Sequence, residues 1–172
     1  MKLILSDRPL DLSIHSDDIV FVDLSACTIA NCIGCFGCWT KTPGKCVIRD
    51  DATTIYPLIA KSDEVIYISR VKYGGYDTTM KTMLERAIPV QQAFIRIHNG
   101  ETHHVQRAVV PKKATIIAYD ANDCDERALF EQLVARNAHN MNFKSHRVVF
   151  ARECDVQDIV TNEVKKWEKS CS

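Results

Sequence analysis

Five short runs that are apolar on both faces, set between stripes of helical period, constrain this chain more than any other feature. They cover residues 2–5, 19–22, 64–69, 114–119 and 147–150. A strand with one wet face alternates apolar and polar residues, whereas an unbroken apolar run suits a strand covered on both sides, as in a parallel sheet. Between the runs, Met80, Met83, Leu84, Ala87 and Ile88 recur with the spacing of an amphipathic helix. Leu129, Phe130, Leu133, Val134 and Ala138 form a second stripe, and Val156, Ile159, Val160, Val164 and Trp167 a third. A weaker helix is expected over 54–61, with Thr53 as N-cap and Pro57 in or just past the first turn. This alternation predicts an α/β fold, a doubly wound sheet of five parallel strands.

Two segments break the rhythm. Only residues 6–18 separate the first two runs, barely the ~12 residues that a crossover between parallel strands requires. Residues 89–113 are too long for a plain connection, and 94–105 read as a β-hairpin turning at Asn99-Gly100, the preferred pair of a type I′ turn. That register pairs His98 with Glu101, Ile97 with Thr102, Arg96 with His103, Ile95 with His104 and Phe94 with Val105. It sends His103 and His104 to opposite faces, where they do not easily share a metal ion. The hairpin is expected to act as a lid or as a contact between copies.

The 172 residues suit a single domain spanning 1–172. The 22 Lys+Arg balance the 22 Asp+Glu, which argues against nucleic acid or an anionic membrane as partner. No apolar run approaches the ~20 residues of a membrane span, and the opening residues meet Asp7 and Pro9 too early for a signal peptide. The expected address is cytoplasmic. Eight cysteines are then the abnormal count, and in a reducing compartment metal, cluster or redox chemistry is a better reading than disulfides.

Cys32, Cys35, Cys38 and Cys46 stand at spacings of two, two and seven intervening residues. Thiolates so spaced can ring an iron–sulfur cluster or, less naturally, Zn²⁺, and Gly34, Gly37 and Gly44 let the backbone curl. The same run also reads as a loop of reduced, packed cysteines. Cys35–Cys38 alone has a redox spacing, but no helix N-terminus is expected there to lower a thiol pKa. Cys27, Cys124, Cys154 and Cys171 are expected to be structural or exposed.

Residues 32–51, CIGCFGCWTKTPGKCVIRDD, resemble the signature of the NADPH-dependent FMN reductase family of flavodoxin-like proteins. Residues 66–77, IYISRVKYGGYD, stand where that family has a strand and a flavin-contacting loop, and Glu85-Arg86 where its next helix ends. The resemblance implies a flavodoxin-like sheet of order 2-1-3-4-5, FMN as cofactor, NAD(P)H as a candidate electron donor, and a homo-oligomer, with the hairpin a candidate interface. It also implies flavin contacts from Ser69, Arg70, Val71, Lys72, Tyr73, Gly74, Gly75 and Tyr76, and from Tyr119, Asp120 and Asn122 after the fourth strand. The cysteine spacing resembles the iron–sulfur flavoprotein branch, which would make Cys32, Cys35, Cys38 and Cys46 ligands of a [4Fe–4S] cluster.

One departure bears on function. The family's phosphate-binding loop follows its first strand, and its N–H groups hold the FMN phosphate. Here that place reads Ser6-Asp7-Arg8-Pro9-Leu10-Asp11, without glycine, with a proline that removes a donor, and with two aspartates that repel phosphate. Only Ser6 and Arg8 could assist, with Arg70 and Lys72 as replacement cations. The leading expectation is a flavin-dependent oxidoreductase or electron carrier acting with a small-molecule or protein redox partner. The alternatives are a domain that has lost FMN binding and works by association, and an iron–sulfur flavoprotein. No side chain is singled out as a catalytic acid or base.

Overall fold

All five residues of β1 (Lys2–Ser6) are buried, and their alternation feeds two separate cores. In the computed structural model, which describes residues 1–98 and 100–169, β1 pairs in parallel with β2 (Ile19–Asp23) on one side and β3 (Glu64–Lys72) on the other. β3 continues to β7 (Lys112–Tyr119), and β7 to the edge strand β8 (Phe143–Ala151). The order β2-β1-β3-β7-β8 is the expected 2-1-3-4-5 arrangement of five parallel strands. A two-residue strand, β4 (Gly75–Tyr76), adds an antiparallel pairing to the end of β3.

Leu3, Leu5, Val65, Tyr67, Ile116 and Ala118 face one side of the sheet. They pack under α2 (Ala52–Lys61), α3 (Thr78–Glu85) and α4 (Cys124–Asn140). Ile4, Ile66, Ile68, Ile117 and Tyr119 face the other side, under α5 (Val156–Lys169). Residues 7–18 carry no helix. Leu10, Leu12 and Ile14 of this coil pack beside α5 instead, and Asp11 exchanges two backbone hydrogen bonds with the Gln157 amide. The short crossover therefore covers its face with an extended strap.

Three local expectations need correction. Helix α2 starts at Ala52 with Asp51 at its cap, not at Thr53, so Pro57 is its sixth residue and lies in the interior. The Asp50 carboxylate accepts the Ala52 N–H, which is why the start moves forward. Leu129, placed on the buried stripe of α4, is 52% exposed because it lies at the stripe's margin, against the loop at Gly74. The hairpin runs further than 94–105, with β5 (Gln91–His98) against β6 (Glu101–Gln106). Its four outer pairs match the expected register, but an irregularity replaces the Phe94–Val105 pair and Gln91 meets Gln106. Gly100 has φ +79°, as its turn position needs, while Asn99 and Cys171 lie outside the described residues.

Candidate functional site

Parallel strands β1, β3 and β7 end at one edge of the sheet, where doubly wound folds bind ligands. At the end of β1, Ser6 is fully buried and its hydroxyl donates to the Arg8 carbonyl at 2.7 Å. Asp7 turns inward. Its carboxylate accepts the Arg70 N–H at 2.7 Å and the Tyr119 hydroxyl at 3.0 Å. Burial pushes the Asp7 carboxyl above the usual range, partly offset by the Arg70 backbone bond. Both neighbouring guanidinium groups are engaged: Arg8 and Arg70 bind the two Glu153 oxygens at 2.9 and 2.8 Å, and Arg70 also meets Asp120 at 3.4 Å. Both also stack on the Tyr119 ring. This edge does not fit an FMN phosphate, because the chain's own carboxylates hold the donors and cations that a phosphate would use.

The next loop is held in a similar way. Tyr73 and Gly74 both adopt left-handed backbone, at φ +53° and +70°. A Cβ on Gly74 would lie 2.3 Å from Leu129 Cδ2, so the glycine is required by this chain's own packing. Glu126 Oε1 accepts the Gly74 N–H, and its Oε2 accepts both the backbone and the side-chain N–H of Asn122. Ser69 accepts the Asp77 N–H through its hydroxyl, and Val71 is buried opposite Tyr76. Tyr73 projects into solvent, 89% exposed.

From this loop a groove of about 1020 Å³ runs between α3 and α4 to the base of the hairpin. Lys72 to Tyr76, Leu133, Lys81, Arg136 and His104 are among the residues on its walls. Ser6, Arg8, Ser69, Arg70, Val71, Tyr119, Asp120 and Asn122 are not, so the sequence-derived flavin set divides between a closed edge and an open groove.

The cysteine run forms a second site. Cys32, Cys35, Cys38 and Cys46 line one small cavity of about 30 Å³ with Ile33, Phe36 and Ile88. Ile88 also borders the groove. Cys32 and Cys35 are exposed, Cys38 and Cys46 half-buried. Contrary to expectation, a short helical turn, α1 (Gly37–Thr40), follows Cys35, yet burial and the neighbouring thiols push the Cys38 thiol up rather than down.

Buried Arg86 ties this loop together. Its guanidinium grips both Asp50 oxygens at 2.6 and 2.8 Å and donates to the Ala30 carbonyl at 2.6 Å and to the Cys46 sulfur at 3.5 Å. Asp50 and Asp51 close the loop's base by accepting the Ala30 and Thr28 N–H groups. Trp39 stacks between Phe36 and His104 and so joins the cysteine loop to the hairpin. Arg86 and Asp50 lay within quoted motifs, but no local signal assigned them to each other. The contacts of Glu126 to Gly74 and of Glu153 to Arg70 and Arg8 carried no signal, because those partners are 52, 83 and 145 residues away.

No protein-family model matches the chain. In sequence it is similar to the iron-sulfur flavoprotein of Archaeoglobus fulgidus, 40% identical over 68 residues that cover 40% of this chain and 30% of that one. It is also similar to an iron-sulfur flavoprotein of Methanocaldococcus jannaschii, 34% identical over 74 residues, 43% of this chain and 37% of that one. The matches thus span about a third of those relatives' length. In fold it is similar to an FMN-dependent NADH-azoreductase from Bacillus anthracis in complex with FMN, with a TM-score of 0.61 at 10% identity, covering 99% of this chain and 98% of that one. An NADPH-quinone reductase from P. pentosaceus aligns with a TM-score of 0.52 at 10% identity over 96% of each chain. The strand order and the structural similarities agree on a flavodoxin-like fold, and the cysteine segment is similar to part of the two iron-sulfur flavoproteins.

Proposed function

We propose that the chain is a flavin-linked redox protein, an oxidoreductase or electron carrier, whose isoalloxazine ring enters the groove at Lys72–Tyr76. The observation that carries this reading is the groove itself, about 1020 Å³ and opening at the loop the family uses for flavin. Small-molecule sites typically hold ~300–1,000 Å³ and mix apolar walls with a few polar groups. FMN, when bound, supplies the hydride and electron chemistry, while the protein supplies orientation and charge. Tyr73 is exposed for stacking, and Tyr76 and Leu133 offer apolar wall. Lys72 and Lys81 are the cations on the groove wall nearest the loop, while Arg136 at its far end is paired with Glu101. The closed β1 edge makes the phosphate dispensable, so riboflavin and FMN should bind within a few-fold of each other.

Quenching of flavin fluorescence on titration tests this. Tyr73→Ala should weaken uptake by about 2–10-fold, the worth of a stacked aromatic, ~0.5–1.5 kcal/mol. NAD(P)H oxidation by the flavin-loaded protein then tests the donor. A protein that takes up neither flavin would overturn the reading and leave the association module.

A second reading is favoured by the cysteine cavity. Four thiols on one wall set are the donor chemistry of a [4Fe–4S] cluster, and the Arg86 contact to Cys46 is the kind of hydrogen bond that tunes a cluster. Iron and acid-labile sulfide in protein purified without oxygen decide it: near-stoichiometric amounts, lost in Cys38→Ser, support the cluster, and their absence refutes it. Self-association is proposed through β5, whose Phe94, Ile95 and Ile97 are exposed. Ile97→Lys should then shift the sedimentation coefficient toward the monomer's.

A further inference from the structure

The hairpin meets the C-terminal end of α4 through a side-chain cluster that neither the flavin nor the cysteine reading uses. Glu101 and His103 come from β6 and His139 from α4, and one ligand atom of each lies within 4.8 Å of the others. The His103 Nε2 to Glu101 Oε2 distance is 3.1 Å, and the His139 Nδ1 to Glu101 Oε2 distance is 4.0 Å. The two imidazole rings stack with centroids 5.4 Å apart.

The outer partners orient the inner atoms. His103 Nδ1 lies 3.2 Å from Asn140 Oδ1, an acceptor, so Nδ1 carries a hydrogen there, and Nε2 is the ring atom turned toward Glu101. Glu101 Oε1 is taken by the Arg136 guanidinium, which leaves Oε2 for the two histidines. Two imidazole nitrogens and a carboxylate oxygen thus converge, with the first imidazole fixed by an outer hydrogen bond; a metal ion would take the place of the proton that His103 Nε2 and Glu101 share. That is the build of a two-histidine, one-carboxylate transition-metal site.

We infer that Glu101, His103 and His139 form a site for a divalent transition metal, zinc by preference, that pins the hairpin to α4. Bonds of ~2.1 Å are reached when the His139 ring, 34% exposed, turns inward. A fourth position stays open to water. Arg136 and Asn140 also stand on the groove wall, so an occupied site would fix the groove's far end. The sequence offered no partner for His103, because the second imidazole comes from a helix 36 residues on.

The test uses protein whose thiols have been blocked with iodoacetamide, so that the cysteine run cannot bind the probe, and Co²⁺ followed by Zn²⁺ as the metal. One equivalent of Co²⁺ should give visible d–d bands without a thiolate charge-transfer band, and Zn²⁺ should displace it. His103→Ala and Glu101→Gln should each weaken binding at least tenfold while circular dichroism stays unchanged, and His98→Ala should leave it within twofold. Zn²⁺ should also slow amide exchange across Glu101–Gln106. No Co²⁺ signal, or a signal that survives His103→Ala and His139→Ala alike, would overturn the inference and leave a proton as the charge shared in this cluster.

Discussion

The end of β1 and the cysteine loop each set an aspartate beside an arginine, and the two pairs behave in opposite ways. Asp50 takes the Arg86 guanidinium on both oxygens, and despite the cost of burial the pair holds its carboxyl below the ordinary range. Asp7 takes only the backbone N–H of Arg70, whose guanidinium goes to Glu153 and Asp120, and burial pushes its carboxyl up. The first arrangement spans a loop and leaves thiols open at its tip. The second fills the place of a ligand anion with a side chain of the protein. An aspartate brought beside an arginine by the fold says little until the geometry shows which atom of the arginine it meets.

Breaking the stronger pair should have the largest effect. Arg86→Met strands Asp50, the Ala30 and Ile48 carbonyls and the Cys46 sulfur, and the loss of one partner of a buried ion pair costs about 3–5 kcal/mol. Chemical denaturation should show this loss, with faster reaction of Cys38 and Cys46 toward a thiol reagent. A Gly74→Ala change strains a left-handed residue, at about 1–2 kcal/mol before the Leu129 clash is counted. The thermal midpoint should fall, and the groove end of α4 should exchange faster. Asp7→Asn should cost at most about 1 kcal/mol, since an amide can still accept from Arg70 N–H and donate to the Tyr119 oxygen.

The smallest effect is the sharpest comparison. Folded Asp7 binds its proton at higher pH than it does unfolded, so just above the ordinary aspartate range stability should rise as pH falls. Folded Asp50 binds its proton at lower pH than unfolded, so its contribution is present above that range and is lost as pH falls through it. Thermal midpoints against pH should show the rise flattened in Asp7→Asn and the acid-side loss flattened in Asp50→Asn. Identical profiles for the two variants would remove the contrast.

Much of the fold was legible because each strand is a local apolar run and each helix a local stripe. The hairpin was legible because four of its pairs follow from one turn. The start of α2 was misread because Asp50 outcompetes Thr53 as the group that meets its first N–H. At the site, the cysteine spacing anticipated that four sulfurs would share one cavity. The candidate flavin residues were legible as a loop. Their division between a filled edge and an open groove was not, because it depends on Glu126 and Glu153 arriving from distant helices.

The two-sided burial of the sheet and the cysteine loop were readable from the letters alone, because they rest on short-range period and spacing, which tertiary contacts reinforce; the strand order was what the family resemblance implied. Only the tertiary structure decided which charges are spent. The absence of a phosphate loop is readable as letters, but whether Arg8 and Arg70 remain available depends on the one Glu153 carboxylate, 145 and 83 residues away from them. It likewise decided that His103 meets His139: the strand register already separated His103 from His104, but only packing brings a helix to the His103 face.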